Sequence, residues 1–448
     1  MRRRWLRLFA LLLTLSLVAA ACNGDDDDDA GATTTTGAPA ERGNVDGVLR
    51  IGSVLPSTGD LGVLGEPMNK AVEMAIRDIN AAGGVLGKDV ELVGEDSGTN
   101  EDIANSAVDK LLGPDQVDAI IGAASSRISL SIIDKVTGSR TVQCSPSNTG
   151  LNFTVYEDGG YYFRTAPPDN LQAIVLAEMI ADDEHESVSI LHLADAYGQG
   201  FADSLETELV EGGVEVDEKV GYDPTATSFD ADVDLLVEAD STANVLIGFP
   251  DTGTTIIKSM IEKGIGPQDT QLYLTDGLQT SSLGRSVDPS DPAIVAGAKG
   301  TAPAAAPPSG ADFFPTAFAE FAPGVDTIFS AHAYDCAIVI ALAAIAADSD
   351  DSTQIRDEMI AVTKDDGEEG EVECTTFAEC SAALEAGSPI NFNGASGPGE
   401  WVEAGEPGEG EYERWAFTEE VTGEGATAAN GIEVLGDVVT VNTEGILG

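Results

Sequence analysis

Positive charge is scarce in this chain. It carries 22 Lys and Arg against 78 Asp and Glu over 448 residues, a formal net charge of −56. Nucleic acid is excluded as a partner, because its phosphates would be repelled rather than neutralised. Histidine is scarcer still. His185, His192 and His332 form neither H-E-x-x-H nor any other metal spacing, so each reads as structural and neither metal nor cofactor is expected. Nucleophile signatures are also missing: Gly394-Ala395-Ser396-Gly397-Pro398 misses the G-x-S-x-G elbow by one position, and there is no P-loop. So many carboxylates make chance acid pairs unavoidable, and spacing identifies no acid/base couple. The longest amino-terminal apolar run, Leu8 to Val18, is short for a membrane span.

What that run does fit is export. Arg2, Arg3, Arg4 and Arg7 precede it, and Ala19-Ala20-Ala21-Cys22 follows as a small-residue cleavage site. A cysteine placed directly after small residues resembles a bacterial lipobox, although Ala19 stands where leucine is commoner. The resemblance implies cleavage before Cys22, lipidation of its thiol and a hold on the membrane surface through two acyl chains. Plain secretion with Cys22 incidental is the alternative. Losing the signal removes four arginines, so the mature charge is 18 − 78 = −60. Residues 23–46, with Asp25–Asp29 and Thr33–Thr36, have little to bury and read as a solvated tether. Its adjacent aspartates lack the alternate spacing and turn glycine of a calcium loop. Four cysteines remain in a compartment where disulfides persist. Cys374 and Cys380 are expected to form a local bridge, whereas Cys144 and Cys336 either pair or stay as buried thiols.

The length points to two lobes, and 42% hydrophobic residues supply enough to bury. From Val48 the chain alternates strand and helix, the α/β pattern of a doubly wound parallel sheet. Val48–Leu55 is a strand. Glu66 to Asn80 is a helix with apolar positions at three- and four-residue spacing, Pro67 in its first turn and Gly83-Gly84 as its stop. Val90–Val93 and a helix from Glu101 to Leu112 follow. Val117–Thr149 is then one β-α-β unit, whose loops, Ala123-Ala124-Ser125-Ser126 and Ser145-Pro146-Ser147-Asn148-Thr149, lie at the carboxyl edge of neighbouring strands. The first loop opens a helix and could hold a small carboxylate. The competing reading makes Ser126 an N-cap and the second loop a turn. After a pause at Phe163–Asp169, where Asp169 could cap a helix Leu171–Ile180, a second series runs to Gln271–Leu274. A Pro/Ala-rich connector, the alanine-rich helix Ser330–Ala346, and short strands at Pro389–Phe392 and Glu411–Phe417 complete the pattern.

Several motifs stand in a familiar order. Ile51-Gly52-Ser53-Val54-Leu55-Pro56-Ser57-Thr58-Gly59, Asn80-Ala81-Ala82-Gly83-Gly84-Val85-Leu86-Gly87, Val117–Gly122, Ser145–Thr149, Phe163-Arg164-Thr165, Tyr197-Gly198-Gln199-Gly200 and Tyr334-Asp335 resemble the branched-chain amino-acid (Leu/Ile/Val) type of periplasmic solute-binding protein. The resemblance covers roughly residues 47–420. It implies a type I binding fold, two doubly wound lobes joined by three crossings near Arg164–Pro168, Thr301 and Pro389–Asn393. The implied division is signal 1–22, tether 23–46, lobe 1 in 47–166 and 301–390, and lobe 2 in 167–300 and 391–448.

Carried over by position, Ser126 and Thr149 resemble the hydroxyls on a ligand α-carboxylate, with backbone groups of Ser147 and Asn148 beside them. Tyr197 and Phe249 resemble second-lobe contacts, and Asp276 the acid that meets the α-ammonium. Without the resemblance, Asp276 reads equally well as a helix cap. Ser147-Asn148 is bulkier than the alanines often found there, and Leu61 to Leu64 offer no aromatic wall, so leucine-like specificity does not follow. The implied function is an extracytoplasmic, lipid-anchored receptor that delivers a small amino-acid-like solute to an ABC permease, and not an enzyme. A sensor serving a signalling partner is the alternative, and an exported hydrolase using Ser126 is the alternative of another class.

Overall fold

Short apolar runs bounded by glycine and polar loops become the strands of two sheets. The computed structural model describes residues 45–442 apart from 366, 368 and 369; the export signal, Cys22 and the tether up to residue 44 lie outside the described residues. The first sheet joins β1 (Arg50–Leu55), β2 (Glu91–Asp96), β3 (Ala119–Gly122), β4 (Val142–Ser145) and β5 (Tyr162–Arg164), all parallel, in the order β2-β1-β3-β4-β5. Every residue of β3 and β4 is buried, as a strand covered on both faces requires. The helices that follow the first three strands are α1 (Gly62–Ala81), α2 (Glu101–Leu112) and α3 (Ser126–Gly138). Helix α1 begins a turn earlier than its periodicity suggests, which leaves Pro67 inside it. The reason is close packing: Gly65 lies so near the Pro56 carbonyl that no Cβ would fit, and Leu64 and Met68 are both buried.

The second sheet takes β6 (Ser187–Leu193), β7 (Glu215–Tyr222), β8 (Ala243–Ile247), β9 (Gln271–Leu274) and β10 (Lys299–Pro303), parallel in the order β10-β9-β8-β6-β7. Helices α4 (Asp169–Asp182), α5 (Ala196–Glu211), α6 (Asp230–Ala239), α7 (Pro250–Glu262) and the short α8 (Leu283–Val287) belong to this lobe. The chain then returns to the first lobe through α9 (Phe314–Phe321), α10 (Ser330–Ala346) and α11 (Ser352–Glu358), with α10 packed on α1. Helix α10 is buried without a break from Ser330 to Ala344, which explains why its sequence is apolar all round. Cys336 of α10 is bonded to Cys144 of β4, resolving the open choice in favour of a pair with a Cα separation of 5.8 Å. Cys374 and Cys380 form the local bridge.

The last crossing differs from expectation. Pro389–Asn393 does not link the lobes; most of it is β12 (Ile390–Gly394), which pairs with β11 (Val372–Cys374) and β13 (Gly397–Pro398) in a separate three-stranded sheet beside α12 (Phe377–Glu385). Buried Asp335 fixes the turn after β12 by accepting from Ala395 N at 3.0 Å and Ser396 N at 2.7 Å. The chain rejoins the larger sheet only at β14 (Glu409–Thr422), which runs antiparallel to β10 and carries β15 (Ala429–Val434) and β16 (Val439–Asn442) as antiparallel neighbours. Pro303 of β10 faces Tyr412 of β14, and Ala304 N donates to Glu411 O at 2.8 Å. Two of the three interlobe connections therefore leave the larger sheet as one hydrogen-bonded ribbon.

Buried carboxyls give the fold a pH dependence of defined sign. Burial pushes Asp118 up to about 7 and Asp335 up to about 6. Both exceed the unfolded value of about 3.9, so the stability they contribute is fully present below about pH 4 and is lost as pH rises from there through 6 to 7. We expect the melting temperature in scanning calorimetry to be higher near pH 5.5 than at pH 8. A midpoint that climbs steadily with pH would contradict this.

Candidate functional site

The carboxyl ends of β3 and β4 open into the two serine loops, and their geometry decides between cap and site. Helix α3 starts at Ser126 with Ser125 in the N-cap position, and Ser125 makes no side-chain cap bond. Its buried hydroxyl has no hydrogen-bond partner among the described residues. Ser126 Oγ accepts from Gly150 N at 3.4 Å, so it joins the two loops instead of capping its helix. Ser145 Oγ donates to Ala123 O at 2.7 Å, and Ser147 Oγ donates to Ala124 O at 3.1 Å, tying the loops together again. Asn148 is turned away from the cleft: its Nδ2 donates to Ala124 O at 2.8 Å and its Oδ1 accepts from Tyr162 Oη at 2.8 Å.

Arg164 explains why the second loop holds its shape. Fully buried, it donates from Nη1 to Asn148 O at 3.2 Å and Gly150 O at 2.9 Å, from Nη2 to Thr154 Oγ1 at 3.0 Å, and from Nε to Glu406 at 2.9 Å. The guanidinium thus brackets Thr149 and ties it to the stretch before β14. Removing one member of a buried ion pair costs about 3–5 kcal/mol, because the other charge is left stranded. Arg164→Met is therefore expected to lower the urea midpoint sharply; a wild-type midpoint would remove this role.

The opposite wall comes from the second lobe. Asp195 N-caps α5 by accepting from Gly198 N at 2.9 Å, which sets Tyr197 in the first turn. The Tyr197 ring stacks on Phe249 with centroids 5.5 Å apart and planes 2° from parallel. Its hydroxyl donates to Asp276 Oδ1 at 2.9 Å and lies 2.7 Å from Thr275 Oγ1. Gln172 Nε2 also donates to Asp276 Oδ1, at 3.2 Å, so this carboxylate is held from two sides rather than spent on a helix cap. Burial pushes Asp276 up to about 6, and the Tyr197 and Gln172 bonds oppose that rise. Burial, aided by the Asp276 and Asp169 charges, raises the Tyr197 phenol well above its ordinary value, so it stays a donor.

Ser126, Ser147, Thr149, Tyr197, Phe249 and Asp276 meet around one cavity, whose remaining walls include Leu61, Leu64, Met68, Ala124, Ser125 and Phe329. Asn148 is not among its walls. Among the described residues no group of three or more His, Cys, Asp or Glu could hold a metal ion, and none of the three histidines lines the cavity. Phe329 supplies an aromatic surface that no sequence pattern indicates. It precedes α10 with φ of 56°, a conformation bulky residues rarely adopt. Met68 reads from sequence only as one more buried position of α1. Asp169 is also more than it seemed. It stands inside the first turn of α4, whose cap position is Pro168, and it is fully buried beside Asp276. Burial first, and then the Asp276 charge, raise the Asp169 carboxyl well above the usual range, against the pull of Thr149 and Arg164. Of the two, Asp276 lines the cavity and Asp169 does not, so Asp276 is the carboxyl offered to a cationic group.

Comparison with known proteins identifies the family and the fold. The family model described as periplasmic binding protein matches residues 48–379. The chain belongs to the periplasmic binding protein family. Among curated relatives of this binding protein, the chemotactic signal transduction system substrate-binding protein BasB of Halobacterium salinarum is 25% identical over 365 residues, covering 80% of this chain and 84% of that one. Leu/Ile/Val-binding protein homolog 2 of Brucella abortus is 28% identical over 242 residues, 54% of this chain and 64% of that one. The crystal structure of the leucine-binding protein LivK of Thermotoga maritima superposes with a TM-score of 0.71 at 20% identity, over 89% of this chain and 99% of that one. That likeness establishes the type I binding fold, an α/β architecture of two lobes.

Proposed function

We propose that this binding protein is an extracytoplasmic receptor that closes on a small aliphatic amino acid and delivers it to an ABC importer. The observation that carries the reading is the polarity split of one cavity. Hydroxyls of Ser126 and Thr149 and the orphan N–H groups at the start of α3 form an end suited to a carboxylate, and Asp276 backed by Asp169 forms an end suited to an ammonium. Between them Leu61, Leu64, Met68, Phe249 and Phe329 offer apolar wall to a side chain. The leucine- and Leu/Ile/Val-binding names of the relatives point the same way.

Thermal-shift screening against amino acids, amides and aromatic acids tests the proposal. A ligand at about 100 times its Kd adds about 2.7 kcal/mol to stability, so L-leucine or L-isoleucine should raise the midpoint by several degrees. No rise with any zwitterion in the screen would defeat the reading. Similarity to BasB favours a second role, in which the closed state is read by a signalling partner. Co-purification of a permease separates transport from sensing. The membrane hold through Cys22 belongs to the same proposal: Cys22→Ser should shift the protein from the membrane to the soluble fraction, and unchanged membrane retention would count against lipidation.

A further inference from the structure

Helix α7 has no cap of its own. Its N-cap position is Phe249, whose side chain cannot accept a hydrogen bond, and its first residue is Pro250. The N–H groups of the following two residues would be orphans. They are met from the other lobe. Asp60, in the loop between β1 and α1, accepts through Oδ1 from Asp251 N at 3.0 Å and Thr252 N at 3.1 Å, and through Oδ2 from Thr252 Oγ1 at 3.2 Å. A carboxylate there also meets the positive end of the α7 dipole. Asp60 thus does in trans, across 191 residues of sequence, what Ser or Asp does in cis at most helix starts.

The placement links this contact to the ligand. Asp60 itself does not line the cavity, but its chain neighbour Leu61 does, and so does Phe249, which immediately precedes the capped turn. The contact and the enclosure of the cavity are therefore completed by the same approach of the two lobes. Opening would strand two backbone donors and a carboxylate at once, and water would have to replace three hydrogen bonds. The contact is partly shielded: Asp60 is half-buried, its bonds to Thr252 are partly buried and its bond to Asp251 N is exposed.

We infer that Asp60 is an interlobe latch, a positioning residue that sets ligand affinity by capping helix α7 of the opposite lobe in the closed state. The inference rests on the proposed closure over a small ligand, but not on which ligand that is. A cap replaced by alanine loses a contribution that corresponds to about a 2- to 30-fold change in an equilibrium constant, whereas asparagine, an equally good cap, keeps most of it. Because the latch exists only between lobes, it adds to the closed state and leaves each lobe's own packing untouched.

The test compares the full chain with Asp60→Ala and Asp60→Asn. Calorimetric titration with L-leucine and L-isoleucine should show Asp60→Ala binding about 2- to 30-fold more weakly, with Asp60→Asn within about twofold of wild type. Amide exchange at Asp251 and Thr252 should be faster in Asp60→Ala and near wild type in Asp60→Asn. Wild-type affinity together with wild-type exchange in Asp60→Ala overturns the latch. If neither amino acid binds the wild-type protein, the exchange arm decides alone: selective loss of protection at those two amides keeps the latch and removes only the amino-acid reading, and unchanged exchange removes both.

Discussion

Asp276→Ala should weaken amino-acid binding by about 100-fold or more, the largest effect expected from any single side chain of the cavity. A ligand ammonium brought into this buried corner loses its water, and only a carboxylate repays that cost. Breaking a buried charge pair by removing one partner costs about 3–5 kcal/mol, and each 1.4 kcal/mol is tenfold in affinity. Asp276→Asn keeps the volume but not the charge, so it should lose nearly as much. The pH dependence has a definite sign. In the free protein burial holds the Asp276 carboxyl near 6, so below that value it is protonated and offers the ammonium no charge. Affinity should therefore fall as pH drops from 7 to 5 and level off above 7. Isothermal titration with L-leucine at pH 5, 6, 7 and 8 reads both effects. Binding to Asp276→Ala within threefold of wild type, or affinity that improves on acidification, would remove Asp276 from the ammonium site.

The second large effect concerns the cross-link between β4 and α10. Cys144 and Cys336 are 192 residues apart, and closing a loop of that size restricts the unfolded chain by about 5 kcal/mol in the loop-entropy account. The Cys374–Cys380 bridge spans only 6 residues and constrains far less. Replacing Cys144 and Cys336 by serine should thus lower the melting temperature by roughly 5–15 °C, clearly more than the same change at Cys374 and Cys380. Ligand affinity should fall as well. β4 leads into the Ser147 and Thr149 loop, and α10 begins beside Phe329, so the bridge fixes one wall of the cavity against another. A melting temperature within 2 °C of wild type would show that packing of α10 alone holds these elements.

Local periodicity made most of the architecture legible before any coordinates. The strand and helix alternation of Val48–Leu274 reads from burial on both faces of short apolar runs, and both serine loops fall where a parallel sheet ends. What sequence could not supply were contacts made across large separations. Asp60 meets Asp251 over 191 positions, and nothing near Asp60 distinguishes a latch from an ordinary turn aspartate. Asp169 looked like a cap because aspartate before an apolar helix usually is one; the cap position belongs to Pro168, and Asp169 is buried one residue further on. Phe329 has no periodic signature because it sits at a helix start in a left-handed conformation. The Pro389–Asn393 strand was visible, but not its partners: a short strand reads the same whether it joins a large sheet or a small one. β15 and β16 escaped notice because they are mostly solvent-facing edge strands.

The ribbon of β10 and β14 has a mechanical consequence. Hydrogen-bonded antiparallel strands bend across their faces but resist sliding, because a one-residue slip would exchange every inward side chain for an outward one. With Pro303 held opposite Tyr412, two of the three tethers between the lobes cannot move past each other. Flexing of the two tethers would keep this register, whereas shear along the ribbon would break it. A closure that keeps this register would bring the same wall residues back to the same alignment each time.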